Sequence, residues 1–181
     1  MIIPIEPWWQ SDRVELFVLT KDHVSGNYVQ WLRNPIVNRF LESRLAAHDI
    51  ESTRAFVESN LASSTSLFLG IRARQINNSH VGNIKLGPID RNHATAEVGI
   101  MIGEPAAWGK GLATEAIDLL SVIAIRQLRL RRLTAGCYAS NVGSERAFQK
   151  AGFCVEGIRP GHFLLDGNPE ALVLMGKMLV E

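Results

Sequence analysis

The sequence predicts an α+β domain whose mostly antiparallel sheet carries one parallel strand pair. Three observations lead there. Short segments rich in β-branched and aromatic residues, 67–71, 81–86 and 96–102, succeed one another across the turn-forming stretches 77–79 and 87–92, as in an antiparallel meander. The longest apolar run, 112–128, reads as a helix joining strand 96–102 to a further strand, 132–138, and such a crossover makes these two strands parallel. Last, Asp166-Gly167 is a hairpin turn that returns the chain through 172–178.

Taken in order, 14–19 reads as the first strand, ended by Thr20-Lys21-Asp22. Thr20 or Asp22 can cap a helix through Tyr28, Val29, Trp31 and Leu32, which stops at the Asn34-Pro35 break. A shorter helical piece covers 37–41. Asp49-Ile50-Glu51-Ser52 offers caps for a helix through Ala55, Phe56, Val57 and Leu61, which ends in the polar loop 63–66. Beyond strand 132–138 a short helix, 141–150, is closed by Gly152. Segments 153–158 and 162–165 continue the sheet.

With 181 residues, 46% of them apolar and 20% charged, the chain suits one domain over 1–181. A net charge of +1 gives no global field to draw in nucleic acid or an anionic membrane, so neither is expected as a partner. The basic cluster Arg126, Arg129, Arg131 and Arg132 falls where it complements the end of the long helix. Cys137 and Cys154 have no metal-ligand spacing, and no metal is expected. Their apolar neighbours suggest buried free thiols in a reducing compartment. Met1-Ile2-Ile3-Pro4 leads into Glu6 and Trp8-Trp9 without the charge and apolar pattern of a secretion signal. The long helix carries Glu115 and Asp118 and so is no membrane span; a cytoplasmic protein is expected.

The most informative stretch is Glu104-Pro105-Ala106-Ala107-Trp108-Gly109-Lys110-Gly111-Leu112-Ala113-Thr114-Glu115-Ala116, running from a strand end into the long helix. Two glycines one residue apart let successive N–H groups converge just before the first helical turn, where the helix dipole favours an anion such as phosphate. A plain strand-to-helix turn has the same signature. A dinucleotide fingerprint requires a third small residue where Thr114 stands and an acidic residue near Arg131 and Arg132; a Walker loop requires Gly-Lys-Ser/Thr, but Lys110 lies between the glycines. A nucleotide enzyme is therefore disfavoured.

A second motif, Asn141-x-x-Ser144-x-Arg146-Ala147-Phe148-x-Lys150-Ala151-Gly152-Phe153, follows about thirty residues on. Together with the glycine stretch it closely resembles the GNAT acetyltransferase superfamily, and within it the ribosomal-protein N-terminal acetyltransferases, over roughly residues 13–180. The resemblance implies the GNAT-type acyl-CoA acyltransferase fold, with helices on both faces of the sheet and a splayed parallel pair. It implies acetyl-CoA as co-substrate, with no metal and a primary amine as acceptor. The pyrophosphate would lie on backbone N–H groups among Gly109, Lys110, Gly111, Leu112, Ala113 and Thr114, beside Trp108. Main-chain groups of Ile100, Met101 and Ile102 would hold the pantetheine arm and stabilise the oxyanion, near Phe148. Two departures from the pattern stand out. Ala106 replaces a usual Arg or Gln, and Phe148 replaces a tyrosine that in many relatives protonates the leaving thiolate. In the branch resembled, a serine takes that role, which assigns the proton donor to Ser144; a serine here also suits a helix cap. Asn141 would cap the same helix and reach the cofactor or the amine.

Glu97 lies on the strand bordering the acceptor pocket, where either it or water takes the proton. An α-amine near pKa ~8 is partly neutral at pH 7 and needs little help from a base, which favours an α-amine or a sugar amine over lysine. Acceptor contacts are expected from Trp31, Asn34, Arg39 and His162, within a polar-aromatic cluster that also holds Arg33, Asn38, Phe40, Glu42, Arg44 and Phe163. The resemblance leaves monomer or homodimer open. It also leaves a rival class, an acyl-CoA-binding module without turnover that acts as a sensor or assembly domain.

Overall fold

The computed structural model describes residue 6 and residues 9–179; the reading of Met1 to Pro4 and of Trp8 lies outside the described residues. Among the described residues seven strands form one sheet in the order β1-β2-β3-β4-β5-β7-β6: β1 (Val14–Val18), β2 (Leu67–Ala73), β3 (Ser79–Asp90), β4 (Thr95–Ile102), β5 (Arg132–Tyr138), β6 (Cys154–Leu165) and β7 (Asn168–Met178). All neighbours are antiparallel except β4 and β5. The predicted α+β class and its single parallel pair are thus observed.

Strand alternation sends side chains to two cores. Val14 and Leu16 of β1, Leu69 and Ile71 of β2, and Val98 of β4 face one side, where α4 (Leu112–Arg126) buries Leu112, Ala116, Ile117, Leu120, Ile123 and Ala124 at helical spacing. Phe17 of β1 points the other way. It joins Tyr28, Val29 and Trp31 of α1 (Gly26–Arg33) and Val57 of α3 (Ile50–Ala62). Helices therefore cover both faces.

Several boundaries differ from the sequence reading. Thr20 caps only a 3-10 turn, Lys21–His23, and α1 starts afresh with Ser25 as its cap, its hydroxyl accepting from Tyr28 N–H at 3.2 Å. The second piece is a single turn, α2 (Pro35–Asn38), set by the Asn34 cap and Pro35 at its start; a 3-10 turn, Glu42–Leu45, follows it. The Asp49/Ser52 capping box of α3 forms. Strand β3 runs past Gly87, because the register shifts after Leu86 and Ile89 N–H bonds Thr65 C=O at 2.7 Å. Cys137 is buried as expected, but Cys154 is exposed: it begins the edge strand β6, which among the described residues only β7 flanks. No helix among the described residues is long and apolar enough to cross a membrane.

Candidate active site

The parallel pairing of β4 with β5 joins Thr95, Ala96 and Glu97 to Arg132, Leu133 and Thr134 and goes no further. Beyond it β4 stays paired with β3 as far as Ile102, and β5 stays paired with β7 as far as Tyr138. The two strands therefore part, and a cleft of about 1170 Å³ opens at the splay. The ladder phase shows which peptide groups face it. Gly103 N–H donates to Val81 C=O at 2.9 Å, so residues 99, 101 and 103 hydrogen-bond toward β3, and the peptide groups of Val98, Ile100 and Ile102 turn toward β5. Ala94 obeys the same phase, its carbonyl accepting from Arg131 N–H at 2.9 Å. Of the three residues expected to offer main-chain groups, Ile100 and Ile102 present theirs to the cleft, while those of Met101 face β3. The Trp108 indole N–H occupies the Ile102 carbonyl at 2.7 Å.

At the mouth of the cleft, Glu104 caps a 3-10 turn, Pro105–Ala107. Gly109 (φ 72°) and Gly111 (φ 77°) are both left-handed, a conformation that other residues adopt only with strain. No side chain caps α4 at Gly111, and among the described residues no protein acceptor meets the first-turn amides of Leu112, Ala113 and Thr114. Gly109, Gly111, Leu112, Ala113 and Thr114 all line the cleft. Lys110 does not, its carbonyl being drawn off toward Arg13 at 2.9 Å.

The second motif forms α5 (Val142–Lys150) against the same opening, tied to α4 by the Thr114 hydroxyl and the Ala147 carbonyl at 3.4 Å. Asn141 is the cap: its Oδ1 accepts from Ser144 N–H at 3.3 Å. That leaves the half-buried Ser144 hydroxyl uninvolved in capping and on the cleft wall, together with Arg146 and Lys150. Phe148 is fully buried, edge-on to Phe153 at 5.0 Å. Cys137 of β5 also lines the cleft, and burial, then the nearby Glu145 carboxylate, push its thiol up to about 11. Glu97 is exposed on the wall toward α1 and α2.

The other end of the cleft is assembled from distant segments. Tyr138, at the tip of β5, stacks on Phe163 of β6 with centroids 4.2 Å apart and leans on Phe40 at 5.6 Å. Its hydroxyl donates to Glu42 and accepts from Arg44 Nη1 at 2.9 Å. Arg44 also donates to the Leu41 carbonyl at 2.9 Å and the Leu164 carbonyl at 3.0 Å. His162 lines the cleft here, with Phe40, Glu42 and Arg159. Three expected contacts lie outside the lining. Trp31 is buried beneath Gly103, Asn34 is used as the cap of α2, and Arg39 pairs with Asp166 at 3.5 Å. Tyr138 was not anticipated, because its sequence neighbours mark only a strand end.

The profile of the acetyltransferase (GNAT) domain family matches residues 13–154. A probable N-acetyltransferase of Bacillus subtilis, YjcK, is 38% identical over 88 residues, covering 48% of each chain, so the match spans about half that relative's length. The human alpha/beta-tubulin-N-acetyltransferase 9 is 27% identical over 149 residues, 78% of this chain and 72% of the relative. Among solved structures, the spermidine N-acetyltransferase of Vibrio cholerae, in complex with CoA and spermine, superposes with a TM-score of 0.82 at 17% identity, covering 93% of this chain and 97% of that one. The ribosomal L7/L12 alpha-N-protein acetyltransferase in complex with CoA gives 0.81 at 19% identity, covering 93% and 96%.

Proposed function

This chain belongs to the GNAT acetyltransferase family and is an acyltransferase, and from that premise we propose that it transfers an acetyl group from acetyl-CoA to a primary amine within one ternary complex. The observation that carries the reading is the parting of β4 from β5 beside an uncapped helix start. Acetyl-CoA supplies a thioester whose acyl carbon accepts the amine. The residues present fit it: left-handed Gly109 and Gly111 with the free amides of Leu112, Ala113 and Thr114 suit the pyrophosphate. Arg146 and Lys150 add positive charge on the same wall. The Val98 and Ile100 peptide groups face the gap, where the arm would run and an N–H would meet the developing oxyanion. Ser144, spared from capping by Asn141, is the group we assign as proton donor to the departing thiolate.

The acceptor we favour is an α-amine, as in the ribosomal-protein branch that the two motifs resemble, with an amino-sugar amine second. An α-amine is partly neutral at pH 7, so an exposed Glu97, or water beside it, suffices to take the proton. Calorimetry with CoA and acetyl-CoA, followed by a thiol-release assay over peptides, amino sugars and polyamines, tests the proposal. Binding of CoA with release on peptide N-termini is the expected result. Failure to bind CoA overturns it, and binding without turnover on any amine favours an acyl-CoA-binding module.

A further inference from the structure

Arg13, immediately before β1, reaches the glycine loop from the flank opposite the cleft. Its Nη1 donates to the Lys110 carbonyl at 2.9 Å, and its Nη2 lies 2.5 Å from Glu115 Oε2. The Ser11 hydroxyl donates to the other Glu115 oxygen. The brace is itself anchored, since the Arg13 carbonyl accepts from Arg74 N–H at 2.9 Å and Val14 N–H donates to Ser11 Oγ at 3.1 Å. None of Arg13, Lys110 and Glu115 lines the cleft, whereas Gly109, Gly111 and Leu112 do.

In a planar trans peptide the carbonyl and the following N–H point in opposite directions. A Lys110 carbonyl drawn to Arg13 therefore aims Gly111 N–H the other way, toward the cleft. Glycines on both sides of Lys110, both left-handed, make this peptide easy to turn over unless something holds it. Charge acts in the same sense. Glu115 lies in the first turn of α4, where a bare carboxylate would repel an anion at the helix start, and its side chain is only 18% exposed. Arg13 cancels that charge.

We propose that Arg13 is a positioning residue for the phosphate end of the cleft: it fixes the Lys110-Gly111 peptide so that Gly111 N–H donates inward, and it neutralises Glu115. The assignment rests on the acetyl-CoA reading above, and substrates with and without the pyrophosphate separate the two. Calorimetry is expected to show CoA bound about tenfold more weakly by Arg13→Ala, the scale of one lost charge-assisted hydrogen bond. Turnover of acetyl-pantetheine, which lacks the pyrophosphate, stays within about twofold of the parent protein, as it should when only phosphate binding is removed. Adding Glu115→Gln to Arg13→Ala recovers about threefold of the CoA affinity, because the bare carboxylate is gone. Arg13→Lys keeps the charge but cannot span both acceptors, so its loss is intermediate, and it replaces the alanine variant should that variant fail to fold. Parent-like CoA affinity in Arg13→Ala, a parallel loss of acetyl-pantetheine turnover, or no recovery with Glu115→Gln overturns the assignment. A parent protein that binds no CoA would instead sink the reading of the cleft itself, and this role with it.

Discussion

The two ends of the cleft are built differently. The end proposed for the phosphates is a contiguous stretch, 104–114, built from backbone: two left-handed glycines and helix-start amides that meet no protein acceptor among the described residues. The end proposed for the acceptor is built from side chains, where a single residue, Arg44, joins Tyr138, 94 residues away, to Leu164, 120 residues away. A backbone device depends on local conformation and here takes one long-range brace, from Arg13 to the Lys110 carbonyl. An assembled pocket changes whenever any contributing segment moves, so it is where acceptor specificity can vary within one fold.

Substitutions can break or sharpen that contrast. Ser144→Ala acts at the seam between the two ends and should have the largest effect, lowering kcat about 100-fold with unchanged CoA affinity, the usual scale for losing a general acid. Stopped-flow thiol release alongside calorimetry checks it; an unchanged kcat removes Ser144 from the chemistry. Gly111→Val strikes the backbone device, because a β-branched residue is strained at φ 77°. CoA affinity is expected to fall about 30-fold, within the range such strain commands, with the amine KM little changed. Tyr138→Phe keeps the stacked ring but releases Glu42 and Arg44, so the amine KM should rise about fivefold and CoA affinity stay put. Equal effects of both variants on both substrates would erase the distinction between the ends.

The smallest effect concerns the aromatic packing around Trp31, beneath Gly103. His80 packs edge-on to Trp31 at 5.1 Å and Tyr28 at 5.6 Å, and its Nε2 lies 2.9 Å from the Gly82 carbonyl and from Asn83 Oδ1. Burial holds its pKa below the ordinary 6.5. Above 6.5 the folded and unfolded chains are both neutral here. As pH falls through 6.5 the unfolded chain takes up a proton that the folded chain refuses, so stability drops, by at most about 1.4 kcal/mol per pH unit for one group. Thermal melts from pH 7.5 to 5.5 should show that slope flattened in His80→Gln, whose amide retains a donor; an identical slope would assign the acid sensitivity elsewhere.

Much of the fold was legible because its signals are local. Strand β5 matched its prediction at both ends, the Asp49 cap and Ser52 announced α3, and the apolar spacing from Leu112 announced α4. Signals misled where a short segment had two outlets. Thr20 satisfied a capping pattern but opened only a 3-10 turn, and Trp31 belonged to an aromatic cluster that the fold turned inward against His80. Arg39 was spent on an ion pair with Asp166, a neighbour the sequence alone does not bring near, and Asn34 took the local outlet of capping Ile36 N–H two residues on.

By itself the sequence determined the order of strands and helices, the glycine turn and the distance to the Asn141 motif, because periodicity, caps and glycine conformation are settled within a few residues. Only the tertiary structure decided where β4 leaves β5, which peptide groups that parting turns toward the cleft, and that Arg13 holds Lys110 while Tyr138 holds Glu42. Those are properties of register and long-range packing, and no local pattern of residues specifies them.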